Sequence, residues 1–389
     1  MLVMKRWIFY FAGLLAISSC RCGSGTTAAP APEPDVIEEQ LARMTLREKV
    51  GQLFCVRPEA FDVALEWDTY EKLASYQLQE VTPQMVKVNA EYPAGGIILF
   101  AHNIQDPDQL DTLVNHLKAF NGEPLLYIDE EGGRVARIGN NERFQVKRYT
   151  SMAAVGRTGD PQNAFECGNT IGTYLKRYGL DVDLAPVADV NTNPQNPVIG
   201  PRAFSSDPQV AGKMVVQYLK GLEKAGITGC VKHFPGHGDT KADTHFGYAQ
   251  TNKTWEEMLA CEMIPFRAAI AAGVPMVMTS HIGAPAVTGS NVPATVSPLL
   301  VTDKLRKELG FKGIIITDGM AMGAITRQYT PEEATLLSLE AGADIVLGPK
   351  DFIKAFDAVV EAVKDSTLTE ARIDESVRRV LRLKAQIRQ

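Results

Sequence analysis

The stretch ITGCVKHFPGHGDTKADTH, residues 227–245, begins as a β-branched and apolar run, turns at two Gly/Pro positions and then holds three of the chain's six histidines. Gly226, directly before it, closes a segment of helical periodicity. Helix, glycine, apolar strand and polar loop make one unit, and counting that unit decides the fold. The other strand candidates are GQLFCV from Gly51, GGIILF from Gly95, PLLYID from Pro124, LDVDLAPV from Leu180, VPMVMTSH from Val274, KGIIITD from Lys312 and ADIVLG from Ala343, which brings the total to eight. Gly179, Gly226, Gly273, Gly310 and Gly342 each end a helical stretch just before a strand, where a left-handed cap suits glycine. Thr45 with Glu48, and Thr330 with Pro331 and Glu333, are signatures of helix starts. Apolar strands alternating with helices need a parallel sheet covered on its faces. Eight units favour a closed (β/α)8 barrel, a single α/β domain over residues 36–389, over an open doubly wound sheet.

The remaining sequence lies ahead of that domain. MLVMKRWIFYFAGLLAISSC places Lys5 and Arg6 before an apolar run from Trp7 to Ile17, then small residues before Cys20. This is the layout of a secretory signal, with an apolar part short for a bilayer span. The run ISSC resembles the lipobox of bacterial lipoproteins, which makes residues 1–19 a signal peptide and Cys20 the lipidated first residue. Residues 20–35, CRCGSGTTAAPAPEPD, read as a tether of roughly 50 Å at full extension. The expected location is the cell envelope, anchored by lipid or free in the periplasm or outside the cell. With 389 residues, 45% hydrophobic and 22% charged, the chain can build a large core. Its formal charge of -6 becomes -8 once Lys5 and Arg6 leave with the signal, and no Lys/Arg block supports nucleic-acid binding. Six cysteines, at 20, 22, 55, 167, 230 and 261, show no CxxC spacing, and Cys55 and Cys230 read as buried thiols.

In a barrel of this kind the chemistry belongs at the C-terminal ends of the strands. His102, His233, His237, His245 and His281 fall there, as do Asp129, Asp189 and Asp318. Histidines beside carboxylates suit proton transfer or metal binding. His233, His237 and Asp239 could be drawn together around an ion, yet there is no HExxH or second ligand pair, and proton transfer is the expectation. No GxSxG elbow, Walker loop or GxGxxG occurs, and the paired glycines of DEEGGRV are only a weak phosphate-loop signal.

GGIILF, IDEEGGRVARI, LAPVADVNTNPQNPVIGPRAF, KHFPGHGDTKADTH, MTSHI and IITDGMAMGAI, in order along the chain, resemble glycoside hydrolase family 3, in particular its β-N-acetylglucosaminidase branch. The resemblance implies that Asp318, in ITDGM, is a nucleophile forming a covalent glycosyl intermediate, with retention of configuration. It implies an acid/base dyad from a loop, His245 assisted by Asp243. It also implies sugar-hydroxyl contacts from Asp129, Arg137, Arg202, Lys232 and His233. The expected activity is release of N-acetylglucosamine from glycans or muropeptides of peptidoglycan, without metal or organic cofactor and without a nucleic-acid partner. Relatives that cleave glucosides commonly take a glutamate acid/base from an added C-terminal domain, for which the final helix TEARIDESVRRVLRLKAQIRQ leaves no room; with the GHGDT loop, this favours N-acetylglucosamine over glucose. Lys241 stands inside DTKADTH, a local charge beside the dyad. A histidine acid/base would also admit phosphate where a carboxylate would repel it, so a phosphorylase is the alternative, with a β-glucosidase-type hydrolase. A silent sugar-binding lipoprotein is the alternative from another class.

Overall fold

Period-two alternation along eight short strands divides the interior in two. The strands of this computed structural model are β1 (Phe54–Val56), β2 (Gly96–Leu99), β3 (Leu125–Ile128), β4 (Val182–Asp183), β5 (Thr228–Phe234), β6 (Met276–Thr279), β7 (Ile314–Thr317) and β8 (Val346–Leu347). The structure describes residues 35–67, 69–241 and 249–388. Cys55, Ile98, Leu125, Tyr127, Val182, Cys230, Met276, Met278, Ile314, Ile316 and Leu347 point to the inside of the barrel and form one buried cluster. Their alternates, such as Ile97, Leu126, Val231, Val277 and Ile315, face outward into the larger cluster shared with the helices. Burial on both faces is why the strands read as continuous apolar runs.

All pairings are parallel, in the order β7-β6-β5-β4-β3-β2-β1-β8. The remaining edge closes through a bridge from Ile316 to Ile345, with Thr317 N donating to Ile345 O at 3.0 Å. The Asp344 carboxylate supports this seam. It accepts from Ile315 N at 2.9 Å, pairs with Arg379 at 2.8 Å and with Arg306, and accepts from Ser376 Oγ at 2.6 Å. Val380 and Leu383 of the helix Glu370–Ile387 join the inner cluster, so that helix lies across one end of the barrel.

The five capping glycines all take left-handed backbone, with φ between 70° and 113°. Capping boxes form at Thr45 with Glu48 and at Thr330 with Glu333. The strands are shorter than the apolar runs that predict them, β4 and β8 having two residues each, and at β1 the element type differs as well: Gly51 and Gln52 belong to the helix Leu46–Gln52. The capping box fixes that helix's start, and at Gly51 a Cβ would lie 2.5 Å from the Pro93 carbonyl oxygen, so the helix end packs in close approach against the loop that leads into β2.

Candidate active site

The inward parity runs on to the C-terminal end of each strand, one residue beyond the paired stretch on β3 and β7 and within the strand on β5. On β3 it runs Leu125, Tyr127 and then Asp129; on β5 it runs Cys230 and then Lys232; on β7 it runs Ile314, Ile316 and then Asp318. Three charged side chains are thereby directed over the axis at the C-terminal mouth. Asp318 is half-buried, and its charge acts on both Cys230 and His237 across the mouth. Its amide donates to Thr279 O on β6 at 2.9 Å, and its Oδ1 accepts from Gly319 N at 2.7 Å. His281 donates from Nε2 to the Gly319 carbonyl at 2.9 Å, with Nδ1 3.0 Å from the Thr295 hydroxyl. The loop carrying Asp318 is thus pinned from below.

Lys232 is the hub of the remainder. Its ammonium sits 2.7 Å from Asp129 Oδ1 and 2.6 Å from Glu131 Oε1, with its side chain almost wholly buried. Arg202 grips both oxygens of Glu131 at 2.7 Å each, and Arg137 reaches Asp129 Oδ2 at 3.3 Å. Burial alone would push the Asp129 carboxyl up, but Lys232 and Arg137 outweigh it and hold it below the ordinary carboxylate range. Glu131 is held much lower, by Arg202 and Lys232 against its own burial. Lys232 and Arg202 are correspondingly raised by their acidic partners, again against burial.

His233 completes the cluster. Its Nδ1 lies 2.7 Å from Asp189 Oδ2 and its Nε2 3.4 Å from Arg202 Nη2, a donor. That arrangement fits a neutral ring with the proton on Nδ1. Asp189 also accepts from the amides of His233 and His237, at 3.3 and 2.7 Å. The His237 ring is pushed down to about 4 by burial, with His233 beside it, and Thr240 Oγ1 sits 2.7 Å from its Nδ1. His237 is therefore neutral at physiological pH and holds the base of the loop after β5.

Asp129, Arg137, Arg202, Lys232 and His233 thus stand in one network, with Asp318 over the same mouth. Asp243 and His245 lie outside the described residues, as does Cys20. Glu130 and Glu131, adjacent in the IDEEGGRVARI segment, have separate partners. Glu130 collects the amides of Arg137, Ile138 and Gly139 at 2.5, 2.9 and 2.7 Å and the Tyr174 hydroxyl at 2.8 Å, which fixes the turn that presents Arg137. Glu131 is the buried counter-charge for Lys232 and Arg202. Arg134 bonds the carbonyls of Pro197 and Val198. His102 contacts Glu59 at 2.9 Å. Arg57 and Phe100 were missed. Arg57 follows Cys55 in the inward parity of β1, and Phe100 follows Ile98 on β2. The Arg57 guanidinium lies 5.3 Å from the Phe100 ring centre and that of Arg137 5.5 Å. Extending strand parity by two residues would have found both.

Comparison with known proteins places this geometry. The model of the glycosyl hydrolase family 3 N-terminal domain matches residues 45–383, and the chain belongs to that family of glycoside hydrolases. It is similar to β-hexosaminidase A of Pseudoalteromonas piscicida, at 35% identity over 336 residues, which is 79% of this chain and 56% of that relative. A solved family 3 β-N-acetylglucosaminidase from Paenibacillus sp. superposes with a TM-score of 0.80 at 34% identity, covering 89% of this chain and 63% of that one. A β-glucoside phosphorylase gives a TM-score of 0.77 at 25% identity, covering 90% of this chain and 60% of that one. The chain thus spans little more than half to two thirds of these relatives' lengths.

The ion network makes a pH-dependent prediction. Asp129 and Glu131 have lowered folded pKa values, so their contribution to stability is present above the unfolded value of about 4 and is lost as pH falls through the folded ones. Lys232→Met removes the cation between them and is expected to destabilise the protein by about 3–5 kcal/mol at pH 7.5. At pH 5 the deficit should shrink, because the stranded carboxylates can then take up protons. Urea unfolding at the two pH values measures this, and an equal deficit at both would contradict the network as the cause.

Proposed function

We propose that this chain is a retaining exo-β-N-acetylglucosaminidase that acts on peptidoglycan fragments in the cell envelope, tethered by lipid at Cys20. The observation that carries the reading is the half-buried Asp318 carboxylate held over the same mouth as the Asp129, Lys232 and Arg202 network. A terminal sugar lying in that mouth would meet cationic donors and carboxylate acceptors for its hydroxyls. Asp318 would attack the anomeric carbon, the bond to the leaving oxygen would break, and water would later release the sugar with configuration retained. His245, assisted by Asp243, would give its proton to the leaving oxygen and take one from that water. The similarity to hexosaminidases supports the choice of N-acetylglucosamine over other sugars.

Phosphorolysis is the second reading, favoured by the likeness to a β-glucoside phosphorylase. In that case phosphate replaces water at the second step and the product is the sugar 1-phosphate.

Asp318→Ala should lower release of N-acetylglucosamine from an aryl glycoside by roughly 10³-fold or more, with unchanged circular dichroism. Undiminished turnover would remove Asp318 from the mechanism. Repeating the wild-type assay with phosphate separates the two readings by product. His245→Ala should cost roughly 10²–10⁴-fold on substrates with poor leaving groups and much less on activated aryl glycosides. Equal losses on both would rule out His245 as the proton donor.

A further inference from the structure

The loop after β5 goes out along residues 235–241 and comes back along residues 249–254; the residues between, with Asp243 and His245, lie outside the described ones. Each arm has its own track of hydrogen bonds. The outgoing arm runs beside the segment after β4: Asn193 N donates to Gly238 O at 3.2 Å, Asn196 Nδ2 to His237 O at 2.7 Å and Asn193 Nδ2 to Thr240 O at 3.0 Å. A Cβ at Gly238 would lie 1.8 Å from the Val190 carbonyl oxygen, so the two segments touch there. The returning arm runs beside the segment after β6, where Gly283 N donates to Ala249 O at 2.9 Å and Thr251 N to Gly283 O at 3.0 Å. The two tracks thus lie on opposite sides of β5.

Three charged side chains join the arms across that gap. Asp239, on the outgoing arm, accepts from Thr251 Oγ1 of the returning arm at 3.4 Å and from Thr192 Oγ1, in the segment after β4, at 3.3 Å. Lys253, on the returning arm, lies 3.8 Å from Asp239 Oδ1 and pairs with Glu262, which stands at the start of the helix Met263–Ala271. Glu262 also packs against the outgoing arm, since a Cβ at Gly236 would be 2.6 Å from its Cγ. Burial decides which contact holds the others. The Asp239 side chain is 32% exposed, and at 3.8 Å its ion pair alone would contribute little. Glu262 is 1% exposed, so its carboxylate needs the Lys253 cation and keeps it in place. Held by Glu262, Lys253 presents its charge to Asp239 from a fixed position.

We propose that Asp239, Lys253 and Glu262 form an ionic clasp that ties the two arms of the β5 loop together at its base, and that they are positioning residues for proton transfer: they fix the points from which the span bearing His245 starts and ends. This rests on the acid/base reading of Asp243 and His245 above. The seven residues 242–248 reach roughly 25 Å at full extension and far less when the chain must turn back, so where their middle can lie follows from their end points. Proton transfer to a leaving oxygen needs the donor within hydrogen-bond reach, and a displacement of about 1 Å can cost roughly 10²-fold. Attack by Asp318 makes no such demand on this loop, because that carboxylate is held from β6 and β8.

Lys253→Met should lower kcat/KM by about 10–10²-fold on an N-acetylglucosamine disaccharide, whose leaving oxygen needs a proton, and leave a dinitrophenyl glycoside, whose leaving oxygen does not, within about twofold. Lys253→Arg, which keeps the cation, should recover most of the loss. Asp239→Asn retains hydrogen-bonding atoms for both threonine hydroxyls and should show the same split to a smaller degree, so the test does not hang on one variant folding. In a His245→Ala background, adding Lys253→Met should change the disaccharide rate by less than about twofold, because both act on one step. Equal losses on the two substrates would mark a structural role and overturn the proposal, as would full disaccharide activity in both clasp variants or additive losses in the double variant. His245→Ala alone separates the two readings. If it retains a strong dependence on the leaving group while the clasp variants show none, the clasp falls and the dyad stands; if it shows none either, both fall together.

Discussion

A single ammonium, that of Lys232, stands between the carboxylates of Asp129 and Glu131 at the mouth of the barrel, and the geometry of the cup follows from satisfying it. A buried charge without partners costs several kcal/mol, so the site exists only if every member of the group is present and positioned. Arg202 answers Glu131 on both oxygens, Arg137 answers Asp129, and the Glu130 carboxylate holds the three amides that set Arg137 in place. Adjacent glutamates thus do different work: Glu130 bonds backbone and Glu131 balances cations. The direction alternates from one residue to the next, which accounts for the difference.

Such preorganisation suits recognition of a neutral polyol. Donors and acceptors are fixed by one another before a ligand arrives, so little reorganisation is needed when hydroxyls enter. His233 extends the pattern, since Asp189 holds its Nδ1 proton and leaves Nε2 as an acceptor toward Arg202. Asp318 differs from these groups. It is only half-buried, and its loop is braced by His281 and by β6 and β8 rather than by the cation network. Its carboxylate stands at the end of β7 over the same mouth, and that bracing sets its position.

Most of the fold was legible in the sequence because its signals are local. Capping boxes at Thr45 and Thr330, glycines before five strands and eight apolar runs each follow from a few neighbouring residues, and their sum admits little besides a barrel. The failure at Gly51 has the same origin: an apolar run and a helix end overlap in sequence, and packing against Pro93 decided between them. In the site, the charged residues that the motifs single out were read directly, while Arg57, which lies outside the quoted segments, and Phe100, the apolar last residue of GGIILF, were not. The separate duties of Glu130 and Glu131 depend on Arg202, Lys232 and Tyr174, which are 71, 101 and 44 residues distant along the chain, and no local pattern encodes those meetings. The dyad of Asp243 and His245 remains a reading of the sequence, since both lie outside the described residues.

The central claim is that Asp318 forms a bond to the sugar that the Lys232 network holds. Mass spectrometry of a proteolytic digest after incubation with a fluorinated N-acetylglucosaminyl fluoride, which forms the glycosyl-enzyme faster than water releases it, tests that bond directly. The account predicts one glycosylated peptide, the one containing Asp318. An adduct on any other carboxylate, or inactivation without an adduct, would contradict it.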